Sequence, residues 1–146
     1  MAKKRVKYSN LWWRGKADKL ITKLYTGQPC VICKTMGRIN TYQTCGHHVV
    51  NKSLSAFYRH DLRNIIPLCQ EHHTMGVEIA AHSRYALAVA EYLKWLKIHR
   101  PVAYKILKTY KRKGACKVNY EQACERLEKY IREPDFGEGL MYPEIE

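Results

Sequence analysis

Two short pairs of residues can build a metal site: Cys30 with Cys33, and Cys69 with His72, each pair spaced by two residues and the two pairs separated by 35. A C-x-x-[CH] knuckle turns tightly enough to aim two soft donors at one point. Two knuckles complete the tetrahedral shell that Zn²⁺ prefers, here with three thiolates and one imidazole. A closed shell of this kind is structural, and metal binding to such a site contributes about 10–16 kcal/mol to folding in zinc-finger peptides. A second set of residues interleaves with the knuckles and is not needed by a plain zinc staple: His47 and His48, then Asn64, then His73 directly after the last zinc donor. Histidine is the side chain whose ordinary pKa makes it a usable base near neutral pH, and it is a common ligand for divalent metals.

The string GHHVV at residues 46–50, followed by LRNIIPLCQEHH at 62–73, resembles the HNH endonucleases. Their ββα-metal motif carries a histidine pair or Asp-His on the first strand, an Asn before the second strand, and a His at the start of a helix. The likeness covers residues 30–75, about a third of the chain. It implies that His48 is the general base that activates a water, that His47 and His73 hold a catalytic divalent ion, and that Asn64 braces the loop and the base. Phosphodiester hydrolysis needs a deprotonated nucleophile and a cation to offset charge on the phosphorane and the leaving oxygen, and one imidazole with one metal supplies both. His47 stands where many members have Asp, so Mn²⁺, Ni²⁺ or Zn²⁺ are expected to rival Mg²⁺. Neighbouring histidines on a strand point to opposite faces, so a slip of one residue would exchange the roles of His47 and His48. The run Arg59, Asp61 and Asn64 after Gly46 and His47 also resembles phage recombination nucleases of the NinG type, which act on branched DNA. That family has Cys-Asn where this chain has His72 and His73.

The remaining cysteines and histidines read more plainly. Cys45 is either an alternative zinc ligand or a buried thiol of the first strand, Cys124 is a core thiol, and His60 and His82 are loop or surface histidines. Six cysteines without a secretory signal fit metal ligation or buried thiols better than disulfides, because the cytosol keeps such pairs reduced. The basic start, Lys3, Lys4, Arg5 and Lys7, is not followed by the apolar run of a signal peptide, which makes a cytoplasmic setting the expectation.

Charge supplies the expected partner. The chain has 146 residues with 26 Lys plus Arg against 13 Asp plus Glu, a net charge of +13 and a pI near 9.6, which fits a polyanion. From Glu133 onward the tail is acidic, leaving residues 1–132 with 26 basic and 8 acidic residues. Residues 94–117 hold nine basic residues and no acidic one. Double-stranded or branched DNA is the expected partner. Arg59 and Arg63 in the connecting loop, and Lys105, Lys108, Lys111 and Arg112 in the basic stretch, are the candidate phosphate contacts, since Arg forks onto phosphate oxygens. No apolar run reaches the ~20 residues of a membrane crossing. The competing class is a zinc-stabilised nucleic-acid-binding module whose nuclease centre is degenerate.

The elements that must position these residues follow from periodicity. Ala17, Leu20, Ile21, Leu24 and Tyr25 share a face and predict a helix over 17–25, stopped by Gly27 and Pro29. Two β-favouring runs, 48–50 and 64–68, predict a hairpin with a long connection. Tyr85, Val89, Tyr92, Leu93 and Leu96 predict a helix ending before Pro101. A second helix opens at that proline and closes at Gly114, and a third is capped by Asn119, with Gln122 in the capping-box position. Trp12 and Trp13 are expected to pack over the zinc core. The expected architecture is one α+β domain: a basic segment with a helix (1–29), a zinc-stapled ββα-metal core (30–83), a basic extension of about three helices (84–132) and an acidic tail (133–146).

Overall fold

The computed structural model describes residues 6–38, 44–110 and 118–133. Among these residues are five α-helices and one two-stranded sheet: α1 Asn10–Tyr25, α2 Val31–Thr35, β1 Cys45–His48, β2 Ile65–Leu68, α3 Ala86–His99, α4 Pro101–Thr109 and α5 Tyr120–Arg132. The chain is α+β, as the periodicity indicates. Helix α4 ends at Thr109, short of the expected Gly114 stop, because the chain turns extended at Tyr110; Lys111, Arg112 and the tail beyond Glu133 lie outside the described residues.

Helix α1 begins seven residues before the expected position, because Ser9 accepts a hydrogen bond from the Trp12 backbone N–H at 3.1 Å and caps it. In its first two turns only Trp13, four residues before Ala17, continues the buried face. Ala17, Ile21 and Tyr25 form the buried face, and Gly27 at φ +79° turns the chain out of the helix. Asn119 caps α5 through the Gln122 N–H at 3.1 Å, as expected. In α3 the buried stripe is Ala88, Tyr92, Trp95 and Leu96, leaving Tyr85 exposed.

The first strand lies three residues earlier than predicted. Val49 and Val50 favour β structure, but their N–H groups are taken by the carbonyl (2.8 Å) and the side-chain Oδ1 (2.7 Å) of Asn64. The ladder therefore runs from Cys45↔Leu68 to His48↔Ile65 in antiparallel register. This register settles which way each side chain faces, because paired residues share a face and neighbours alternate. Ile66 and Leu68, with His47 and Cys45 opposite them, look towards the knuckles, α3 and α4; Ile65, with His48 and Gly46, looks towards α1 and α5. Gly46 sits in a tight place: a Cβ there would lie 3.1 Å from Ile65 and 3.2 Å from the Tyr25 ring, so both would have to give way.

Two cores result. One gathers Cys30–Cys33, Ile66, Leu68, Tyr92, Trp95, Leu96 and Ala103; the other gathers Ala17, Ile21, Tyr25, Ile65, Cys124 and Leu127. The tryptophan beside the knuckles is Trp95, whose indole N–H donates to Thr35 at 2.9 Å, and not Trp12 or Trp13. Trp13 packs on the α1–α5 core and Trp12 is exposed, stacked on Tyr8. Cys124 is a core thiol, donating to the Trp13 carbonyl at 3.2 Å. No described helix is long and apolar enough to cross a membrane.

Candidate metal centres and the histidine hairpin

The first knuckle is a single helical turn, α2, which swings Cys30 and Cys33 to one side, with the Lys34 N–H bonded to the Cys30 carbonyl at 3.0 Å. The second knuckle follows β2. Here the chain makes one wide turn over Glu71–Met75, closed by the Gly76 N–H on the Glu71 carbonyl, in place of the regular helix expected after Cys69. Gly76 permits this closure, since a Cβ would fall 2.8 Å from the carbonyl oxygens of Glu71 and Ile79.

The two turns bring Cys30, Cys33, Cys69 and His72 together, all buried. The His72 Nδ1 lies 3.5, 3.4 and 3.3 Å from the sulfurs of Cys30, Cys33 and Cys69, and the Cys33 and Cys69 sulfurs are 3.8 Å apart. A tetrahedral zinc with bonds of about 2.3 Å to sulfur and about 2.0–2.1 Å to nitrogen has edges of about 3.8 Å (S to S) and about 3.6 Å (S to N). The donor set therefore fits Zn²⁺. Electrostatics agree. Burial resists ionisation of the Cys30 thiol, but His72 and nearby backbone N–H groups bring it down to about 6, whereas burial and that neighbouring thiolate push Cys33 up to about 12. Burial also raises Cys69. Thiolates this close repel one another, so holding all three takes a cation.

A second group lies beside the first, joined to it where His73 follows His72. His47 of β1, His73 of the wide turn and His82 offer nitrogens within 4.8 Å of one another. His47 and His73 are brought together as the sequence suggests. His82 is exposed and lies in a turn, as expected of a loop or surface histidine, and it also joins this group because the segment after Gly76 folds back along the wide turn, with the Ala81 N–H on the His72 carbonyl (2.9 Å) and the His82 N–H on the His73 carbonyl (2.8 Å). No local period encodes that return, so only the clustering of histidines hinted at it. Burial holds His47 well below its ordinary pKa, and His82, His73 and His48 add to the effect; burial and His82 lower His73. Neutral imidazoles present lone pairs, as a metal requires. Tyr92 of α3 adds a hydroxyl 3.0 Å from His47 Nε2, and the Cys45 sulfur lies 3.5 Å from His73 Nδ1. Cys45 thus belongs beside the histidines and is not part of the zinc set.

His48 sits on the other face of the strand. Its Nε2 is 2.9 Å from the Arg59 carbonyl, which can only accept, so Nε2 carries the proton and Nδ1 keeps its lone pair. Burial lowers its pKa, and the charges of Lys52, Arg59 and His60 act the same way. Asn64 is wholly buried. Its Oδ1 accepts from Val50 N–H, while its Nδ2 donates to the carbonyls of Val50 (3.0 Å) and Tyr58 (3.1 Å), tying the start and the middle of the 49–64 connection to the residue before β2.

The expected phosphate contacts divide. Arg59 forks onto Asp18 at 2.9 and 2.7 Å, and Arg63 is paired with Asp61, so both guanidinium groups already hold carboxylates. His60 is not a surface histidine: its side chain is buried and its Nε2 lies 2.7 Å from Asp18. Lys105 and Lys108 are exposed on α4, and no carboxylate pairs with either among the described residues. Comparison with family models, with curated proteins and with solved structures finds no match to this chain.

Proposed function

We propose that this chain is a metal-dependent DNA endonuclease of the HNH kind, hydrolysing phosphodiester bonds with one histidine base and one divalent ion beside a structural zinc. The observation that carries the reading is a single short hairpin with different chemistry on its two faces. On one face a three-imidazole group adjoins a closed Cys₃His shell; on the other a histidine is locked in one tautomer with its second nitrogen unprotonated. A structural zinc alone calls for neither the three-imidazole group nor the locked histidine.

In this reading His47, His73 and His82 hold the catalytic ion, with Tyr92 behind His47. The ion, when bound, offsets negative charge on the phosphate and the departing oxygen. His48 Nδ1 accepts the proton of the attacking water, and the Arg59 carbonyl keeps the ring turned so that this nitrogen is the free one. Asn64 touches no reacting atom in this account; it is a positioning residue that fixes the loop opposite His48. Three neutral ligands with no carboxylate favour Mn²⁺, Ni²⁺ or Zn²⁺ over Mg²⁺. Lys105 and Lys108 track phosphates of a double-stranded or branched DNA, with Lys111 and Arg112 continuing the basic run. Arg59 and Arg63 contribute to the build of the loop before they contribute to DNA.

The test is nicking of supercoiled plasmid by the zinc-loaded chain with Mg²⁺, Mn²⁺ or Ni²⁺, wild type beside His48→Ala. Removing a general base lowers the rate by about 10²–10⁴-fold. Nicking that is equal in the two proteins removes His48 from the mechanism; none in the wild type with any ion, zinc retained, leaves the nucleic-acid-binding module as the better reading.

A further inference from the structure

We infer that Asp18, on α1, is a positioning residue for the base, holding His48 in its working tautomer through the Arg59–His60 peptide; this rests on the reading of His48 as the base. The Arg59 carbonyl that accepts from His48 Nε2–H belongs to the peptide joining Arg59 to His60. The side chains on both sides of that peptide end on one carboxylate. Arg59 reaches the two oxygens of Asp18 with Nε and Nη2, and His60 gives Nε2–H to Oδ1 at 2.7 Å. Fixing both flanking side chains leaves the peptide plane little freedom to rotate, and so fixes where its oxygen points.

Asp18 is singled out by sequence as well. It is the one acidic residue among the first 29, where eight Lys and Arg surround it. A carboxylate meant only for solvation on α1 has no reason to be spent on two side chains of a distant loop. Burial resists its ionisation, but Arg59 and His60 bring its carboxyl down to about 2, so it is charged wherever the nuclease would work. The bidentate fork is directional, unlike a point contact, and specifies the angle of the Arg59 side chain as well as its distance. Groups that orient a functional histidine in this way, without touching the substrate, typically change activity by about 10- to 100-fold when removed.

The test uses the full zinc-loaded chain as wild type, Asp18→Asn, Asp18→Glu and Arg59→Met, with two readouts. The first is the ¹⁵N signature of the His48 ring, which reports the tautomer without any substrate. The second is the split between kcat and KM for plasmid nicking. Wild type is expected to show a single Nε2–H form. Asp18→Asn and Arg59→Met are expected to show mixed tautomers and a kcat lower by about 10-fold or more at unchanged KM, with Asp18→Glu recovering part of it. Combining Asp18→Asn with Arg59→Met should cost no more than either alone, since both remove one fork. A single Nε2–H form and unchanged kcat in a folded Asp18→Asn overturn the proposal; if that variant does not fold, Arg59→Met, which spares the carbonyl, decides on the same criteria. If wild type does not nick, the base reading fails by itself, and the tautomer readout still rules on the link from Asp18 to His48.

Discussion

Replacing Asn64 by Ala removes three side-chain hydrogen bonds at once: from Val50 N–H at 2.7 Å, to the Val50 carbonyl at 3.0 Å and to the Tyr58 carbonyl at 3.1 Å. Val50 and Asn64 are buried, so the two Val50 groups lose their partner where water does not readily replace it. A buried donor or acceptor left unmatched costs about 1–3 kcal/mol, and an ordinary bond about 0.5–1.5 kcal/mol. The Tyr58 carbonyl still receives the Asp61 N–H at 3.2 Å, so its share is the smaller one. Together these give a loss of about 3–5 kcal/mol. Asn64→Asp should be no better at neutral pH, because a carboxylate oxygen would face two carbonyl oxygens. The assay is urea denaturation at fixed free zinc, with Asn51→Ala as a control: the Asn51 side chain accepts from Ser53 in an exposed turn, and its loss should stay below about 1 kcal/mol. If Asn64→Ala costs no more than that control, the brace assigned to Asn64 is wrong.

Other perturbations test other parts of the structure. Cys69→Ser should release the tightly bound zinc and abolish the cooperative unfolding transition, and because His73 follows His72 on the same wide turn it should also abolish metal binding by the three histidines; metal analysis by mass spectrometry checks both. Gly46→Ala drives a methyl into Ile65 and the Tyr25 ring and should cost about 1–3 kcal/mol in a denaturation curve, with zinc content unchanged. The Asp18 carboxyl is held below its ordinary 3.8, at about 2, so its contribution to stability is fully present above pH 4 and is lost as pH falls through 2. The stability difference between wild type and Asp18→Asn should therefore shrink between pH 4 and pH 2, whereas zinc loss in acid is common to both proteins and cancels.

What the sequence made legible was whatever is encoded in spacing. The Cys30–Cys33 and Cys69–His72 knuckles converge as read, since a gap of two residues dictates the turn itself. The Asn119 cap and the α5 stripe of Tyr120, Ala123, Cys124 and Leu127 were equally local. The hairpin register was not, because Val49 and Val50 advertise a strand while Asn64, fourteen positions away from Val50, takes the Val49 amide with its backbone carbonyl and the Val50 amide with its side chain. The grouping of the exposed His82 with His47 and His73 was hidden for the same kind of reason: it comes from a backbone return after Gly76 that leaves no periodic trace. Arg59 and Arg63 looked like free phosphate ligands because sequence displays charge but not its partner, and both partners, Asp18 and Asp61, appear only in three dimensions.

The central claim is that the three-histidine group holds the ion that cutting requires, apart from the structural zinc. The most direct measurement is plasmid nicking by the zinc-loaded chain as Mn²⁺ or Ni²⁺ is titrated, wild type beside His82→Ala, with zinc content measured on the same samples. The account predicts that wild type nicks in proportion to a second bound ion, and that His82→Ala keeps its zinc and its fold while nicking is lost or displaced to much higher metal concentration. Equal nicking by His82→Ala at every concentration, or none by wild type with any ion, would contradict it.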